Sequence, residues 1–101
     1  MKKVIAAILL MAVASTSQAE TKHETCTHIS NLAEKVMEAR LNGVKITHMM
    51  QVASESGPIE QIMTDMVVIA YQSYSYKTDD YKLSAIRDFG AQYYIDCIKK
   101  I

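Results

Sequence analysis

Apolar and polar residues alternate along this chain with the period of a helix rather than that of a strand. Cys26, Ile29, Ala33 and Val36 recur at spacings of 3, 4 and 3, and Leu32 and Met37 widen the stripe. Glu24, Thr27, His28, Asn31, Glu34, Lys35 and Glu38 occupy the opposite face, which reads as solvated. Asn42-Gly43 marks the end of this first helix, because glycine accepts the left-handed conformation just past a helix. A second, shorter helix is predicted to begin near Thr47, with the hydroxyl capping free amides. It carries Met49, Met50, Val52 and Ala53 and stops at Ser56-Gly57.

Pro58 then opens a third helix, where a missing amide hydrogen costs nothing. Ile59, Ile62, Met63, Met66, Val67 and Ala70 form its apolar face, which Val68 and Ile69 extend. Apolar residues nearly all round predict a helix central to its fold; a contact between copies in a homodimer is the alternative. Residues 72–78 form a connection. Thr78-Asp79-Asp80 starts a fourth helix with a capping hydroxyl and two carboxylates at the positive dipole end. Leu83, Ile86, Gly90, Tyr93 and Cys97 follow at 3-4-3-4 spacing, beside Phe89, Tyr94 and Ile98. Gly90 on that face costs about 1 kcal/mol relative to alanine, which predicts close approach by a neighbouring helix. The expected fold is all-α, a compact bundle of about four helices.

The first residues carry a different message. Lys2 and Lys3 precede an apolar run, Val4 to Ala14, and Ser17 and Ala19 supply small residues at −3 and −1. Residues 1–19 therefore read as a cleaved signal peptide, too short for a span of about 20 apolar residues. No stable membrane anchor is expected after cleavage. The style of the signal is Gram-negative, so the expected destination is the periplasm. Residues 20–101 then form a single helical domain with 9 basic and 11 acidic side chains. That balance argues against nucleic acid as a partner.

Cys26 and Cys97 are the only cysteines, one near each end of the domain. In an oxidising compartment they predict a disulfide joining the first and last helices. A loop of that length would stabilise the fold by about 4 kcal/mol. A zinc site built from His23, Cys26, His28 and Cys97 is the rival, disfavoured by the compartment. The cysteines lack the Cys-x-x-Cys spacing of a redox pair.

Candidate chemistry is sparse. His23 and His28 are five residues apart, which does not put two ligands on one helical face. His48 lacks a carboxylate or cysteine at ligand spacing, and Met49-Met50 beside it gives only a faint copper signal. Asp79 and Asp80 point about 100° apart on a helix and cannot converge on one atom. No phosphate loop or nucleophile motif appears, so no catalytic residue, metal or cofactor is assigned. The seven aromatic residues all fall between Tyr71 and Tyr94. Phe89 and Tyr93 suit the core by period, whereas Tyr74, Tyr76 and Tyr81 flank the loop before the fourth helix. Tyrosines so placed serve as partner-binding residues, or else pack over the helix ends as a satellite cluster.

The expected function is binding to a periplasmic or envelope protein, as an inhibitor, immunity or accessory factor, without catalysis. An acid-activated periplasmic chaperone is the alternative, since protonating the carboxylates would leave a strongly positive chain. An enzyme using His48, or His28 with a nearby acid, is a third reading.

Overall fold

A computed structural model describes residues 21–100, so the expected leader lies outside the described residues. Four α-helices follow one another: α1 (Lys22–Leu41), α2 (Ile46–Ser54), α3 (Glu60–Gln72) and α4 (Asp79–Lys100). A 3₁₀ turn, Gly57–Ile59, leads into α3 and holds Pro58 in its first positions. The domain is the all-α bundle that the periodicity predicts, and the Cys26–Cys97 disulfide joins its first and last helices.

Local chemistry sets each boundary. Thr21 caps α1, its hydroxyl accepting the Glu24 amide at 3.1 Å, a Thr-x-x-Glu pairing that offsets the unpaired amides of the first turn. At the other end the Gly43 amide donates to the Arg40 carbonyl and the Val44 amide to the Ala39 carbonyl. This is a Schellman turn, and Gly43 supplies the φ of 85° that it needs. Helix α2 begins two residues earlier than a cap at Thr47 implies. Its N-cap is Lys45, which makes no side-chain capping bond, and Thr47 lies inside the first turn. Ser54 and Ser56 donate to the Gln51 and Val52 carbonyls and so satisfy the last turn of α2.

Helix α1 is the centre of the packing. It lies along α4, and its remaining surface receives α3, while α2 packs on α3. Ala33, Val36, Met37 and Leu41 of α1 meet Met63, Met66, Val67 and Ala70 of α3, with Ala53 of α2 and Phe89 of α4 completing the core. Burying such side chains contributes about 1.5–3 kcal/mol each for the larger ones. Met49 and Met50 pack against this core.

Gly90 does mark a close helix approach. The Ser30 hydroxyl of α1 donates to the Gly90 carbonyl at 2.9 Å. A Cβ at Gly90 would stand 2.5 Å from Glu34 Cγ. Glu34 is thus half-buried against α4, not on an open solvated face as its position in the α1 pattern implies. Leu83 departs in the other direction: it lies on the apolar period of α4 yet is 48% exposed. Ala85 and Ile86 in the same turn do reach the core, so Leu83 lies at the edge of the face that the core covers.

The loop of 71 residues closed by the disulfide implies that Cys97→Ser lowers stability by about 4 kcal/mol. For a domain of this size that is roughly 15 °C or more in melting temperature. Thermal unfolding with and without reductant checks it, and an unchanged midpoint would refute the staple. A second expectation concerns Gly90→Ala, which gains helix propensity but collides with Glu34. It should destabilise by about 1 kcal/mol net. In a Glu34→Ala background the same change should become neutral or stabilising, a coupling that a double-mutant cycle measures directly.

Candidate functional site

Two surface depressions flank α4. The first lies where the α3–α4 connection meets α4. Tyr74 and Tyr81 are 69% and 65% exposed and Tyr76 is 36% exposed. The Tyr74 and Tyr76 rings meet edge to face at 4.8 Å, and Tyr76 stacks on Tyr81 at 6.0 Å. These three rings therefore form one aromatic cluster rather than three separate side chains. They rim a cleft of about 540 Å³ whose other walls include Met37, Ser84, Asp88 and Phe89. The structure thus brings together the three tyrosines singled out from the sequence and sets them beside the edge of the core.

The remaining aromatics have other work. Phe89 and Tyr93 pack edge to face at 5.1 Å within and beside the core. Tyr71 donates its hydroxyl to the Val44 carbonyl, and the Arg40 guanidinium lies 5.3 Å from its ring centre. Arg40 also reaches the Ser73 carbonyl at 3.4 Å, while its Nε is buried without a hydrogen-bond partner. This knot ties the end of α1 to the end of α3. His23, exposed near the start of α1, is hydrogen-bonded through Nδ1 to the Tyr94 hydroxyl at 2.9 Å. Its ring meets that of Tyr94 edge to face, close to the disulfide.

The second depression is a groove of about 640 Å³ between α3 and α4. Both helices pack on α1 but share no extended contact with each other, so α1 forms the floor through Thr25 and Ile29. Ile62, Val68 and Ile69 form the α3 wall; Phe89, Tyr93 and Cys97 contribute to the α4 wall. Asp65 and Asp96 also line it. The Gln61 amide donates to Asp65 and the Gln92 amide to Asp96, each at 3.2 Å. The periodicity of α3 contained this groove only indirectly. Ile62 and Ile69 lie on the apolar face but are 39% and 48% exposed, because that face is wider than the surface α1 and α2 can cover.

Among the described residues no group of three His, Cys, Asp or Glu side chains could hold a metal ion. The zinc reading fails on chemistry as well, since both cysteine sulfurs are consumed by the disulfide. No described helix is long and apolar enough to cross a membrane. The chain matches no family model, and comparison with curated proteins and with solved structures gives no significant match.

Burial raises the Tyr93 hydroxyl above its ordinary value near 10, and the neighbouring carboxylates Asp65 and Asp96 raise it further. Folding therefore favours the neutral phenol. The stability this contributes is fully present below the unfolded value near pH 10 and is lost as pH rises through the higher folded one. Tyr93→Phe should accordingly flatten the alkaline fall in melting temperature above about pH 10 while leaving neutral-pH folding intact. Melting curves from pH 8 upward for both proteins test this, and parallel curves would refute it.

Proposed function

We propose that this chain is a small exported protein that acts without catalysis by binding a protein partner in the periplasm or envelope. Inhibitor, immunity factor and accessory subunit are the roles that fit such a module. The observation that carries the reading is the aromatic cluster of Tyr74, Tyr76 and Tyr81, stacked together yet open to solvent at the rim of a cleft. Tyrosine offers large contact area for few rotatable bonds and keeps a hydroxyl for hydrogen bonding, which is why it is enriched at interface hot spots.

The scaffold supports the same reading. A disulfide between the terminal regions persists in oxidising compartments and is uncommon in the cytosol, which agrees with export. It also limits motion between α1 and α4, so a partner would meet a surface already ordered and lose less entropy on binding.

Crosslinking in the periplasm of the native host, followed by mass spectrometry, should capture one stoichiometric partner at neutral pH. Replacing Tyr74, Tyr76 and Tyr81 together with alanine should abolish capture while helical circular dichroism is retained. The exposure of Tyr74 and Tyr81 makes unfolding of this variant unexpected. Capture of many unrelated proteins in acid only would overturn the reading in favour of a chaperone. Capture that survives the triple substitution would move the interface elsewhere.

A further inference from the structure

We propose that the groove between α3 and α4 is a docking site for a basic amphipathic helix of another protein. The inference goes beyond the tyrosine reading, because the groove is walled by α3, which lends no residue to the tyrosine cleft.

Shape is the first argument. Two helices packed on a third but separated from each other leave a trough with the form of a missing helix. From Phe89 to Lys100 the α4 wall runs roughly 16 Å, about three helical turns. Apolar chemistry is the second. Ile62 and Ile69 lie seven residues, about two turns, apart along α3, and both expose a substantial part of their surface. Ile29, Val68 and Phe89 continue the apolar lining across the trough. An incoming helix with apolar residues at three- and four-residue spacing would bury all of these together.

Charge selects the partner. Asp65 stands on the α3 wall and Asp96 on the α4 wall, so carboxylates flank the apolar floor from both sides. Each is steadied by a glutamine one turn earlier, and neither is paired with a cation among the described residues. Lys100, at the end of the groove, is the one cationic side chain of its lining. A helix with lysine or arginine on both edges of its apolar face would complement that pattern. An acidic helix would meet two like charges, a repulsive element that adds specificity.

The test uses the disulfide-bonded chain and a labelled helical peptide of about 14 residues, made only of leucine and lysine in an amphipathic pattern. Its counterpart carries glutamate in place of lysine. The lysine peptide should bind, measured by fluorescence anisotropy, and the glutamate peptide should not. Asp65→Asn with Asp96→Asn should weaken binding about five- to tenfold, on the scale of two partly screened ion pairs. Glu38→Gln with Glu55→Gln removes the same charge from exposed positions outside the groove and should leave affinity within about twofold. Ile62→Ser with Ile69→Ser, at positions already exposed, should abolish binding without loss of helicity. Equal weakening by both pairs of charge substitutions would reduce the effect to general attraction and overturn the proposal. So would absence of binding, binding of both peptides alike, or a self-associated chain that Ile62→Ser with Ile69→Ser converts to monomer. None of these outcomes bears on capture through the tyrosines, so the two readings can fail separately.

Discussion

The pairing of α1 with α4 is the constraint from which the rest of this structure follows. It is fixed at two levels. The Cys26–Cys97 disulfide holds the ends together, with Cα atoms 5.5 Å apart. Further along, the Ser30 hydroxyl bonds the Gly90 carbonyl, and the Glu34 side chain occupies the space that a side chain at Gly90 would take. A covalent tie alone would leave two helices free to splay away from it. A close approach alone would have to be held by a small core. Together they set both the separation of the helices and their relative position along the pair.

With one side of α1 committed to α4, the short helices must share what remains. Helix α3 takes the next face of α1, and α2 folds back on α3. That leaves α3 covered by α1 and α2 but not by α4. Its apolar surface is wider than those neighbours can enclose, so Ile62 and Ile69 stay open beside the gap. The groove is thus a geometric consequence of one long helix serving as the platform for two others. The knot of Arg40, Tyr71, Val44 and Ser73 closes the opposite end of this arrangement. It does so through side-chain bonds to backbone carbonyls, where helix ends leave acceptors without partners.

What could be read from the sequence is what depends on local spacing. Helical periods, the turn at Gly43 and the glycine at position 90 are properties of a few neighbouring residues, and the structure bears each of them out. The disulfide was legible for a different reason: two cysteines permit one intramolecular pair. The failures concern coverage. Leu83 has the correct period but stays exposed at the edge of the face by which Ala85 and Ile86 reach the core, while Glu34 has a polar identity but faces a glycine that leaves room for it. Period tells which residues share a face, not how much of that face another helix reaches. The tyrosine cluster was partly legible. Its place beside the loop followed from sequence, but the stacking of Tyr76 on Tyr81 depends on the path the connection takes into α4.

The aromatic residues show how a small chain divides one residue type among unlike tasks. Phe89 and Tyr93 fill space, Tyr71 and Tyr94 spend their hydroxyls on bonds that fasten helix ends, and Tyr74, Tyr76 and Tyr81 remain outside. The division follows from reach. A tyrosine whose ring can lie on the bundle while its hydroxyl finds a carbonyl or a histidine gains from burial; one on the connection has no such acceptor and stacks on its neighbours instead. Aromatic rings packed on one another lose part of their mobility before any partner arrives. Covering rings ordered in this way would cost less rotamer entropy than covering free ones. The same rigidity applies to α4, which forms a wall of both depressions and is held to α1 at its centre and near its end. Ordered apolar and aromatic surface therefore lies along a fixed helix.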